Sequence, residues 1–140
     1  WDMHADQNNL NMIDGMDAVG RSFDHAVASF VEDVTSRGLT DKILLVVCGE
    51  MGRTPKINGN GGRDHWGRLS PLLLFGGDFP GGEVIGQSTP NGGEPSADPL
   101  TPKHLISTIL HTVFDIGQLR LMPGVPPQLT QLSAPPPIHL

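Results

Sequence analysis

Residues 43–47 read Ile43-Leu44-Leu45-Val46-Val47, an apolar run with no polar residue inside it. A strand with one wet face alternates apolar and polar side chains. An unbroken run fits a strand covered on both faces, most often a parallel member of an α/β sheet. The residues before it carry a different period. Ile13, Met16, Phe23, Val27, Phe30 and Val34 fall at helical spacing, with Asp17, Arg21, Asp24, Glu32 and Arg37 on the other face. Gly38 follows as a helix stop. The pattern predicts a helix over 13–37, whose Gly15 and Gly20 each weaken it by roughly 1 kcal/mol relative to Ala. Helix, short connection (Leu39-Thr40-Asp41-Lys42) and buried strand form half of a βαβ unit.

Downstream, residues 48–70 read as a loop with six glycines. Pro71–Phe75 is a second strand candidate, and Glu83–Gly86 a short edge strand. Thr101-Pro102 opens a second helix, since Thr caps helices and Pro is favoured at the first helical position. Its apolar stripe is Leu105, Ile106, Ile109, Leu110, Val113 and Phe114, and it should end near Asp115. Residues 117–140 contain six prolines and are expected to run extended over the surface. Two helices and two or three strands cannot cover both faces of a sheet. The expectation is therefore that residues 1–140 are the C-terminal part of one larger α/β domain, with partner strands supplied from a missing N-terminal part.

Composition excludes some functions. A net charge of −6 argues against a nucleic-acid surface, which needs a basic stripe. No apolar run is long enough to span a bilayer. Cys48 is the single cysteine, so no internal disulfide can form and the compartment stays open. Gly (18) and Pro (13) cluster between the patterned segments, which points to long ordered loops. Neither a G-x-S-x-G elbow nor a G-x-x-x-x-G-K-[ST] loop is present.

Three clusters could carry chemistry. In Asp2-Met3-His4, an Asp and a His two apart can face the same way, and both ligate divalent ions. The alternative is a frayed polar end. In Glu50-Met51-Gly52-Arg53, the carboxylate follows the buried strand, where α/β sheets place their ligand crevice. It could bind metal while Arg53 binds an anion; the alternative is a Glu50–Arg53 ion pair. In Arg63-Asp64-His65-Trp66, His65 is a metal candidate, Asp64 could orient it or bind metal itself, and Arg63 could meet a phosphate or sulfate oxygen. The alternative there is an Arg–Asp pair beside a packed histidine. His25, His104, His111 and His139 read as structural or solvent-exposed, and Cys48 as a small buried residue.

The run ILLVVCGEMGRTPKINGNGGRDHWGRLSPLLLFGG resembles the signature of the "domain of unknown function 1501" family, abundant in planctomycete-type bacteria. WDMH is similar to that family's WDTH motif, and TPKHLISTILHTVFDI to its closing helix. Met3 stands where Thr is usual and Met51 where Phe is usual; neither change removes a ligand. Family members are longer, so the resemblance implies their C-terminal portion.

That family is grouped with alkaline phosphatases and sulfatases. The resemblance implies a three-layer sandwich with a mainly parallel sheet and two divalent metals at its edge. Asp2, His4 and His65 would match one metal's ligands and Glu50 the second's. The ions could be zinc, calcium or magnesium. Arg53 and Arg63, with Asp64 beside them, would face a small anionic ester. The nucleophile would lie upstream, as would any export signal, which in this family is often of the twin-arginine kind. The resulting expectation is a partial metal-dependent hydrolase, inactive alone. The alternatives are a non-catalytic scaffold that reuses the fold, and a truncated product that does not fold stably.

Overall fold

The computed structural model describes residues 2–96 and 98–138. The first helix comes in three pieces: α1 (Met12–Gly15), a π-helical turn (Met16–Gly20) and α2 (Arg21–Ser36). Asn11 caps it, its side-chain oxygen accepting from the Asp14 N–H at 2.9 Å. Gly15 faces the Met3 side chain, so the helix start rests on the segment that carries Asp2 and His4. Gly38, at φ +64, closes the C-terminal end, where an L-residue would be strained.

Strand β1 (Leu44–Cys48) pairs with β4 (Leu72–Gly76), and between them β2 (Gly52–Arg53) pairs with β3 (His65–Trp66). Both pairs are antiparallel, with Leu44 opposite Gly76 and Cys48 opposite Leu72 in the larger one. This corrects the expected parallel sheet. A parallel neighbour needs a crossover, usually helical. Residues 49–71 instead fold back on themselves through β2 and β3, and the chain re-enters beside β1 in the opposite direction. The mixed α/β class stands.

Three smaller expectations are corrected too. Glu83–Gly86 forms no strand, and Val84 is 91% exposed. Cys48 is exposed at the end of β1, where it lines an open groove. The expected loop at 48–70 contains β2 and β3.

The second helix, α3 (Pro102–Val113), starts where its cap predicts. His104 completes the cap: its Nδ1 accepts from the Thr101 N–H at 3.0 Å. The tail is not simply extended. It forms α4 (Ile116–Leu121), capped by the Asp115 carboxylate, and α5 (Pro127–Leu132), which begins on a proline. Proline suits a first helical turn, where its missing N–H is not needed, so a proline count alone misleads here. Residues after α5 return to α3. Ser107 Oγ donates to the Pro135 carbonyl at 2.6 Å, and the Ile138 N–H donates to Thr108 Oγ1 at 2.8 Å. His111 Nε2 lies 3.2 Å from the Ser133 carbonyl oxygen.

Among the described residues, the large apolar side chains that are buried are Val34, Ile116 and Ile138. The strand residues Leu44–Val47 are half-buried rather than covered on both faces.

Candidate metal centre

The centre is assembled by polar contacts between the segment at residues 2–4 and the Gly-rich turn at 58–64. The Arg63 N–H donates to the Met3 carbonyl at 3.0 Å. Asn58 Nδ2 donates to the His4 carbonyl and to Asp64 Oδ1, each at 2.9 Å. Its own oxygen accepts from the Gly62 and Asn60 N–H groups at 2.9 and 3.0 Å. A Cβ at Gly62 would lie 2.2 Å from the His4 carbonyl, so only glycine admits that backbone so closely. Gly52 does the same at β2, where a Cβ would lie 1.8 Å from the Leu69 oxygen.

The β2–β3 pair then supplies two more groups. Arg53 and His65 are register partners, so their side chains leave the ribbon on the same face. The Thr54 N–H donates to the Asp64 carbonyl at 2.9 Å and extends the pairing. Trp66, one residue on, donates from Nε1 to the Gly93 carbonyl at 2.7 Å and anchors the loop at 88–95.

Asp2, His4 and His65 each present a ligand atom, all within 4.8 Å of one another. Asp2 Oδ1 touches His4 Nδ1, and Asp2 Oδ2 lies 3.6 Å from His65 Nε2. The two imidazole rings meet edge to face, with centroids 4.2 Å apart. Asp2 and His4 are partly buried, while His65 is exposed. Arg53 Nη1 lies 2.9 Å from Asp2 Oδ1 and 3.3 Å from both ring nitrogens of His4. Asp2 Oδ1 is closed off from solvent, yet it receives no hydrogen bond of good direction from the groups that touch it. Burial pushes the Asp2 carboxyl up, but Arg53 first and then His4 and His65 outweigh it, and the group sits below the ordinary Asp range.

Two nitrogens and one carboxylate oxygen make a donor set suited to a divalent ion, and the unsatisfied Oδ1 offers it a lone pair. A tetrahedral ion with bonds of about 2.0–2.1 Å holds its ligand atoms about 3.4 Å apart, so atoms that now lie within 4.8 Å of one another would draw together on loading.

The other sequence candidates lie elsewhere. Glu50 is exposed in the bend after β1 and does not join the cluster. It lines a groove of about 500 Å³ with Cys48, Leu72, Leu74, Ile85 and Leu105. Arg63 Nη1 donates to the Thr54 and Pro55 carbonyls at 2.9 Å each, and its buried Nε has no acceptor. The Asp64 carboxylate accepts from Asn58, and its N–H donates to Thr54 Oγ1 at 3.1 Å. His25 is exposed on α2, and His139 lies outside the described residues. Asn58 was missed by the sequence reading, although Asn before a Gly-rich run is a turn signal because its side chain bonds nearby backbone.

A family model described as "Protein of unknown function (DUF1501)" matches residues 1–127, and the chain belongs to that family. Neither a curated protein nor a solved structure matches the chain.

Proposed function

We propose that this chain carries one divalent-metal site of a larger hydrolase acting on phosphate or sulfate esters, with Asp2, His4 and His65 as the ligands. The observation that carries the reading is the convergence of those three ligand atoms within 4.8 Å from two distant stretches of sequence. Two imidazoles and one carboxylate favour zinc over calcium or magnesium, which prefer all-oxygen sites. A bound ion would neutralise charge on an ester oxygen. Arg53 is close enough to the cluster to pair with the same anion. Arg63 and Asp64 would then act as supports of the turn rather than as substrate contacts, since both are engaged with backbone or with Asn58. An ion at Glu50 would need ligands beyond those the described residues bring near it.

Exposed apolar side chains are compatible with the same reading. Ile13 (82% exposed), Phe30 (39%), Leu72 (38%) and Leu73 (37%) leave apolar surface on the first helix and on β4 in water. Large apolar side chains left in water on both elements are compatible with further packing partners. In this reading, residues 1–140 belong to a single alkaline phosphatase-like three-layer domain, and further segments of it cover those faces and bring the nucleophile.

A second reading, a non-catalytic scaffold, is favoured by one observation: Arg53 already neutralises Asp2, as in a structural ion pair. Zinc titration by calorimetry at near-neutral pH, with metal analysis of the purified protein, separates the two. The hydrolase reading expects one ion per chain, lost in His65→Gln. A protein that takes up no divalent ion leaves the scaffold.

A further inference from the structure

We infer that Arg53 is a built-in counter-cation of the cluster: it holds Asp2 in place while the site is metal-free and gives that carboxylate up when a divalent ion enters. This rests on the metal-site reading above and adds to it a residue that sets how strongly the site takes its ion.

The geometry has three parts. Arg53 Nη1 sits 2.9 Å from Asp2 Oδ1, the oxygen that is buried and unsatisfied. The guanidinium therefore neutralises the carboxylate without giving it a well-directed hydrogen bond. Nη1 also lies 3.3 Å from both Nδ1 and Nε2 of His4. These two nitrogens point in different directions, so one N–H cannot serve both, and neither contact is a committed bond. Finally, Arg63, ten residues on, is fixed by two backbone carbonyls, whereas among the described residues the Arg53 side chain pairs with the prospective ligands Asp2 and His4 alone.

A guanidinium and a divalent ion repel at such distances, so both cannot hold Asp2 Oδ1 closely. Arg53 is the one that can leave, because its side chain is 28% exposed and needs only to rotate while its backbone stays paired opposite His65. Displaced, it would stand beside the ion with its donors free, a geometry that recognises a tetrahedral oxyanion. Metal loading and anion affinity would thus be linked through one side chain.

The test uses the full chain and Arg53→Gln and Arg53→Lys, with zinc titration and metal-free thermal unfolding. Arg53→Gln should tighten zinc by about fivefold, the scale of a partly exposed ion pair, while its metal-free melting point falls. Arg53→Lys keeps the charge and should stay within about twofold of the parent in zinc affinity. A purely structural arginine predicts that Arg53→Gln loses on both measurements, and a residue reserved for substrate predicts no change in either; both results overturn the inference. Should Arg53→Gln fail to fold, the unaltered chain answers the question. Phenylglyoxal labelling mapped by mass spectrometry should modify Arg53 faster with zinc than without, and equal or slower labelling overturns the inference. If the unaltered chain binds no zinc, the metal reading falls as well. If His65→Gln abolishes uptake while Arg53→Gln leaves affinity unchanged, the counter-cation role falls by itself.

Discussion

The Asp2–His4–His65 cluster and the pair β1–β4 with α3 are held by different forces. Around Asp2, His4 and His65, positions are set by polar contacts: Asn58 bonds four partners, Arg63 bonds two carbonyls, and two glycines allow backbone to touch backbone. Around β1 and β4 the chain relies on apolar side chains, many of them still in water. Polar contacts are directional and local, so they can define a site without a large core behind it. Apolar burial is non-directional and scales with area, so a two-stranded sheet gains little until something covers it. The cluster should therefore resist changes to the sheet and fail sharply when a single polar or steric detail is altered.

The largest expected effect comes from Gly62→Ala. Its Cβ would need to occupy space 2.2 Å from the His4 carbonyl, and backbone rather than a flexible side chain would have to move. A loss of about 2–4 kcal/mol is expected, with separation of the 2–4 segment from the turn. Zinc uptake should disappear with it. A variant that keeps its melting temperature would show that the close approach is not what positions His4.

Asn58→Ala comes next. It removes two donors and an acceptor that together join the His4 carbonyl, Asp64 and two turn amides. About 1–3 kcal/mol should be lost in thermal unfolding, since some of these partners are left part-buried and unmatched. Amide exchange at Gly62, whose N–H donates to Asn58, should accelerate. Unchanged exchange there would mean that the turn is held without this side chain.

The contrast also explains what was readable in the amino-acid sequence. The helices were legible because 3.6-residue periodicity spans many residues: 13–37 was expected against Met12–Ser36, and a start at Thr101-Pro102 against Pro102–Val113. The run at 43–47 marked a strand correctly, but an unbroken apolar run carries no information about the direction of its neighbour. That direction is decided by how residues 49–71 fold back, through strands of two residues that no periodicity detects. Asp2, His4 and His65 were legible by side-chain chemistry, and the structure brings them together. Glu50, which the resemblance assigns to a second ion, lies outside this cluster and lines the groove after β1. The supports of the cluster were hidden, since Asn58, Gly52 and Gly62 act through geometry that only contact reveals.

The smallest effect tests the other side of the contrast. Ser107 is fully buried on α3, and its hydroxyl donates to the Pro135 carbonyl at 2.6 Å, pinning the returning tail. Ser107→Ala removes one donor and leaves a carbonyl with a second lone pair but no partner at that position. The expected cost is about 1 kcal/mol in chemical or thermal unfolding. Amide exchange at Ile138, whose N–H bonds the neighbouring Thr108, should quicken because the tail is then held at fewer points. Zinc affinity should stay within about twofold, since sites without shared partners behave additively. A larger loss of zinc binding in Ser107→Ala would mean that the tail and the cluster form one cooperative unit. The division into a polar-locked site and an under-covered apolar half would then have to be abandoned.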